Sequence, residues 1–187
     1  MRNLRLAGLA ALAVVCAAPT SLAQDGEADP PTQVAGDVFT AFIPNDDQRW
    51  WYEGRFHFAP VARAGDTLYL SGAIAGPGDD GPADAAAFEA DLRTVFETLG
   101  QSLAAAGADW SNVVRLNTYH VFDSPAANFG KSEHMDTLAR VKDDYIGEPY
   151  PAWTAIGVVE LYEDSGLVEI ELTAYVPDTA ASPADMP

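Results

Sequence analysis

The chain has 187 residues and carries 10 Lys and Arg against 28 Asp and Glu, a formal charge of −18. That charge repels polyanions over long range, so nucleic acid and anionic membrane surfaces are poor partners. With one cysteine, Cys16, there is no disulfide framework to read.

From the N-terminus, Arg2 and Arg5 form a positive start, Leu6 to Ala18 an apolar run, and Ser21-Leu22-Ala23 a small-residue cleavage site. Residues 1–23 are therefore expected to be a cleavable signal peptide, which predicts a secreted or periplasmic protein. The apolar run is shorter than the roughly 20 residues a bilayer requires, so no membrane association is expected after cleavage. The leader holds the only cysteine and two basic residues but no acid. The mature chain beyond it has no thiol, and eight basic residues against 28 acidic ones give a formal charge of −20. Residues 24–55 are expected to be an acidic, proline-bearing linker to about Ala35 and then an aromatic arm, Arg49-Trp50-Trp51-Tyr52. Clustered aromatics have to pack on something, and the sequence leaves two covers open: the domain core, or a ligand or subunit contact.

Ala64-Gly65-Asp66 reads as a turn, and the β-rich Thr67-Leu68-Tyr69-Leu70-Ser71 as a strand. Gly72 to Asp84, rich in Gly and Pro, reads as a loop long enough to form a rim or lid. Phe88, Leu92, Val95, Phe96, Leu99 and Leu103 at helical spacing predict a helix over 84–106, ended by Gly107. Gly100 inside it predicts a close approach by another group. Val113 to Phe122 predicts a strand. Ser124-Pro125 reads as the cap and first turn of a second helix, which buries Met135, Leu138, Val141 and Tyr145. Trp153 to Val159 and Leu167 to Tyr175 predict two strands, read as a hairpin through 162–166. The predicted class is α+β, a mixed sheet with two helices on one face. Residues 177–187, rich in Pro, Ala and Asp, are expected to be a disordered tail.

Motifs with a chemistry of their own are scarce. His57, His120 and His134 lack metal-ligand spacing, so no metal is expected. Ser71-Gly72 lacks the surroundings of a nucleophile elbow. The two aspartates in Gly76-Pro77-Gly78-Asp79-Asp80-Gly81 repel phosphate, so this glycine-rich stretch reads as an acidic turn rather than a phosphate cradle.

Over about 56–176 the chain resembles the Rid family of reactive intermediate deaminases, also called the YjgF family, on the chorismate-mutase-like fold. The features that carry the resemblance are Gly65-Asp66-Thr67-Leu68-Tyr69-Leu70-Ser71-Gly72, Ala106-Gly107-Ala108, the strand ending in Asp123, Pro151-Ala152-Trp153-Thr154-Ala155-Ile156-Gly157-Val158 and Val168-Glu169-Ile170-Glu171. The resemblance implies a homotrimer with small-molecule clefts between subunits and no cofactor. It implies a cleft built from Phe58, Ser71, Gly72, Trp153, Thr154 and Ala155, with Glu169 positioning water as the candidate catalytic residue. Three of these positions depart from the family. Trp153 replaces the arginine that grips a substrate carboxylate bidentately, Phe58 replaces a frequent tyrosine, and Ala155 stands where some members carry cysteine. An indole has one N–H and no charge, so the standard 2-imino acid deaminase activity is not expected of this chain. Imine or enamine hydrolysis through Glu169 is the alternative, with Arg115 or Arg140 supplying the missing cation. RNA cleavage, sometimes attributed to the family, runs against the charge.

Overall fold

The computed structural model describes residues 30–78 and 80–177. The expected signal peptide, the start of the acidic linker and nearly all of the expected tail lie outside the described residues. Strands β1 (Thr32–Ala35) and β2 (Thr40–Ile43) are followed by helix α1 (Asp46–Glu53), then β3 (Val61–Ala64) and β4 (Thr67–Ala75). Helix α2 (Ala85–Ala105), β5 (Val113–His120), α3 (Lys131–Tyr145), β6 (Ala152–Gly157) and β7 (Val168–Tyr175) complete the chain. One seven-stranded mixed sheet has the order β1-β2-β3-β4-β7-β5-β6, parallel only between β5 and β6.

The alternation in β7 explains the layering. Val168, Ile170, Leu172 and Ala174 are buried against the helices, while Glu169, Glu171 and Thr173 occupy the opposite face. From α2, fully buried Phe88, Leu92, Phe96 and Leu103 meet that apolar face, joined by Leu138 and Val141 from α3. Asp84 caps α2 by accepting from the Ala87 N–H at 2.9 Å. Gly107, at φ 77°, ends it in the left-handed conformation that favours glycine, and the Ala108 N–H returns to the Leu103 carbonyl at 2.9 Å. The close approach predicted at Gly100 comes from Trp110, whose indole nitrogen would lie 3.3 Å from an added Cβ.

The structure corrects three sequence expectations. First, α3 starts at Lys131 and not near Ser124, because the backbone of 124–128 is engaged elsewhere. Ser124 Oγ accepts from the Ala126 N–H at 3.1 Å, and the Ala126 carbonyl and Asn128 N–H both pair with Ala83. Second, β6 and β7 form no hairpin. Strand β6 lies parallel to β5 at the end of the sheet, while β7 is inserted between β4 and β5. A chain of ten residues, 158–167, links them across β5, too long for a tight turn. Third, β4 continues to Ala75, beyond the expected loop start at Gly72. Upstream, Thr32–Ala35 pairs with Thr40–Ile43, so sheet structure reaches into the segment read as linker.

Candidate active site

The site grows from an irregularity in β4. Leu70 pairs with Leu172 and Ala73 with Ile170, so Ser71 and Gly72 together oppose the single residue Glu171. This extra residue is a bulge. It turns Ile74 onto the face of Glu169, its cross-strand partner. The bulge also coincides with the end of β3, whose last pair with β4 is Val61 with Leu70. Beyond that pair the outer edge of β4 has no strand beside it among the described residues. The Ser71 N–H donates to the Pro60 carbonyl at 3.0 Å and the Ser71 hydroxyl to the Ala59 carbonyl at 2.8 Å, which anchors the incoming chain.

The aromatic arm fills the space beside this bare edge. Asn45 caps α1 by accepting from the Gln48 N–H at 2.9 Å, and buried Gln48 donates to Ser102 Oγ of α2 at 3.0 Å. With α1 docked, His57 at φ 49° reverses the chain, and the Phe58 N–H donates to the Trp51 carbonyl at 3.1 Å. The Trp51 and Phe58 rings stack with centroids 5.6 Å apart. Of the two covers left open in the sequence, the structure shows the first, since the arm packs on α2; it also walls a cavity.

That cavity measures about 660 Å³, a size suited to a small organic molecule. Its aromatic wall is Trp50, Trp51, Phe56, Phe58 and Tyr162; Thr94, Val95 and Thr98 of α2 close one side; Ser71, Gly72, Ile74 and Glu169 form the sheet side; and Glu163 also lines it. A second hollow of about 400 Å³ shares Gly72, Tyr162 and Glu169 with the first and adds Tyr119, Glu160 and Glu171. Glu169 therefore sits where the two meet. Gly72 makes this possible, because a Cβ there would overlap Glu169 Oε1 and lie 2.7 Å from its Cδ.

The two glutamates of β7 are held differently. Glu171 Oε2 accepts from Tyr119 Oη at 3.2 Å and from Asn117 Nδ2 at 3.3 Å. Glu169 makes no side-chain hydrogen bond or ion pair among the described residues. Burial, and secondarily the Glu171 charge, raises its pKa above the ordinary glutamate value. A partly desolvated, unpartnered carboxylate at the junction of two hollows can take a proton from water or hold a cation.

Of the expected site residues, the structure brings Phe58, Ser71, Gly72 and Glu169 into one cleft. It places Trp153 elsewhere in the same chain, in a hollow with Leu116, Lys142, Asp143, Tyr150 and Pro151. The indole N–H of Trp153 donates to Thr118 Oγ1 at 3.0 Å, so its single donor is already engaged. That hydroxyl also meets His120 Nε2 at 2.7 Å, and His120 Nδ1 meets His134 Nε2 at 3.0 Å, forming a buried polar chain. Burial lowers both histidines to about 4, which keeps them neutral at pH 7. Thr154 and Ala155 follow Trp153 along β6 and line neither hollow at Glu169. Arg115 donates to Asn117 Oδ1 at 3.1 Å and Arg140 pairs with Glu89 at 2.7 Å, so neither lines the cleft. Among the described residues no group of His, Cys, Asp and Glu is arranged to hold a metal ion. Tyr162 is not assigned to the site from sequence, whereas Trp50 and Trp51 belong to the arm for which a ligand contact is one of the two open covers. The tryptophan pair was the available signal, whereas Tyr162 looked like part of a turn.

The Endoribonuclease L-PSP family profile matches residues 53–176. The RutC family protein YjgH of Escherichia coli is 30% identical over 141 residues, which are 74% of this chain and 96% of that protein. The solved structure of RidA from the Antarctic bacterium Psychrobacter sp. PAMC 21119 is 27% identical, superposes with a TM-score of 0.51, and matches over 64% of this chain and 88% of its own. A member of the YjgF/YER057c/UK114 family from Mycobacterium tuberculosis has a TM-score of 0.53 over 78% of this chain and 99% of its own; at 22% identity it speaks to the fold alone. The sheet order, the two helices on one face and these matches agree: the chain belongs to the Endoribonuclease L-PSP family, the YjgF/Rid family.

Proposed function

We propose that this is an exported Rid-family protein that binds a small molecule in the cleft around Glu169 and lacks the family's standard 2-imino acid deaminase activity. The observation that carries the reading is the lining itself. The hollows at Glu169 are walled by aromatic rings and glutamates, and no Lys, Arg or His lines them among the described residues. A 2-imino acid needs a cation for its carboxylate, and Trp153 stands in place of the arginine that supplies it in the better-known relatives. The leader at residues 1–23 supports export, which separates the protein from the cytosolic enzymes that release such imines.

In this reading the protein is a homotrimer, and β6 brings Trp153, Thr154 and Ala155 to the cleft of a neighbouring copy. Support comes from β6 as a terminal strand with one edge unpaired among the described residues and all six residues exposed, including Trp153 and Ile156. Natural proteins rarely leave such an edge bare. Sedimentation equilibrium tests the trimer, and a monomer at micromolar concentration refutes it.

A second reading, imine or enamine hydrolysis, is favoured by the unpartnered Glu169 carboxylate. Glu169 would take a proton from a bound water as the water adds to the C=N carbon and return it to the nitrogen. It would then carry the adduct's hydroxyl proton to the nitrogen as the C–N bond breaks, so that ammonia leaves and the carbonyl forms. The two readings separate when purified mature protein is mixed with freshly generated 2-imino acids. The first predicts hydrolysis at the uncatalysed rate; the second predicts acceleration that Glu169→Gln abolishes. For RNA cleavage, the formal charge of −20 predicts no product on incubation with RNA.

A further inference from the structure

We infer that the Glu169 cleft selects a cation, a protonated amine carrying an aromatic or alkyl tail, over a carboxylate of the same size. This rests on the reading of the cleft as a small-molecule site and names the class of ligand it takes. Two properties of the lining converge. The Trp51–Phe58 stack, with Trp50 and Tyr162, presents ring surface, and ring faces attract cations while burying the hydrocarbon next to them. Glu169 and Glu163 supply carboxylates in the same cavity. An ammonium placed between Glu169 and the rings gains from both, whereas a carboxylate there meets two like charges and no cationic side chain among the described residues of this chain.

The nearby charges agree. Glu171 keeps its place through Tyr119 and Asn117, so Glu169 is left to pair with whatever enters. Arg55 packs over the Phe56 ring at 5.2 Å from its centroid and is not part of the lining; it shows that one ring of this wall already accepts a cation. Burial and the Glu171 charge disfavour the charged form of Glu169, and a cation beside it acts in the opposite direction.

The test is calorimetric titration of the purified mature protein with three probes of one shape: 2-phenylethylamine, 2-phenylethanol and 3-phenylpropanoate. The amine is expected to bind about tenfold more tightly than the alcohol, the gain of a partly desolvated ion pair and cation–π contact, and the carboxylate more weakly than either. Glu169→Gln is expected to remove most of the amine's advantage and leave the alcohol within about twofold; Glu163→Gln, which removes the other carboxylate of the cavity, is expected to lower that advantage in the same direction, which covers the case of a poorly folding Glu169 variant. Binding of the alcohol with no preference for the amine overturns the cation selectivity and leaves the small-molecule cleft standing. Failure of all three probes overturns both. Tighter binding of the carboxylate overturns the inference outright.

Discussion

Gly72→Ala tests how the site is built, because the two effects it should have are separable. A Cβ at residue 72 lies 2.7 Å from Glu169 Cδ, against ordinary contact at 3.4 Å or more, so the carboxylate must retreat. The obstacle is a side chain and not backbone, but it includes Glu169 Cγ at 2.7 Å as well as Cδ, so Glu169 must turn from χ1 outward, at a rotamer cost of about 0.5–1.5 kcal/mol. Replacing a strand glycine also restricts the unfolded chain, which returns about 0.4–1 kcal/mol. The net change in stability should stay within about 1 kcal/mol, a shift in Tm of no more than about 4 °C. Function should change far more. A carboxylate displaced by about 1 Å loses much of its pairing geometry, so amine affinity should fall about tenfold, and any hydrolysis by about a hundredfold. Thermal melts and calorimetry on the same preparation read both numbers. A variant that binds like wild type would show that Glu169 does not act from its seat on Gly72. A loss above about 3 kcal/mol would show that Glu169 is wedged there as a structural residue.

Three other outcomes are expected. Trp153→Arg restores the family's cation and should raise hydrolysis of fresh 2-imino acids above wild type, measured by ammonia release; no gain would mean that this position did not cost the activity. Phe88→Ala removes a fully buried ring and should cost about 3–5 kcal/mol in urea unfolding, with a much smaller loss refuting its place in the core. His120 and His134, lowered from 6.5 to about 4, are favoured in the neutral form when folded. Their contribution is present above pH 6.5 and is lost as pH falls from 6.5 towards 4, where the unfolded chain binds more protons. Urea midpoints should therefore drop over that window more steeply in wild type than in His134→Gln, and parallel profiles would contradict the assignment.

Wherever apolar periodicity met a single layer, the structure was legible in the sequence. The stripe from Phe88 to Leu103 and the alternation of Val168 to Ala174 mark α2 and β7 because each has one face to bury. Pairing partners were not legible. A half-buried strand reads alike beside any neighbour, so Trp153–Val159 and Leu167–Tyr175 suggested a hairpin while the actual neighbours came from tertiary packing. The start of α3 was not legible because Ser124 satisfies a turn as readily as a helix cap. At the site, Phe58, Ser71, Gly72 and Glu169 could be grouped through the family resemblance. The aromatic wall could not, because Trp51 meets Phe58 only after α1 docks through Gln48 and Ser102, a contact across 54 residues of sequence. The Ser71 hydroxyl, placed in the cleft by the family resemblance, directs its hydrogen to Ala59 instead.

The aromatic, acidic cleft at Glu169 as the binding site is the central claim. A crystal structure of the mature protein soaked with 2-phenylethylamine tests it most directly. The prediction is density for the probe's ring against Trp51 and Phe58 with its nitrogen within hydrogen-bond distance of a Glu169 carboxylate oxygen. Density in the Trp153–Lys142 hollow instead, with the Glu169 cleft holding only water, would contradict it.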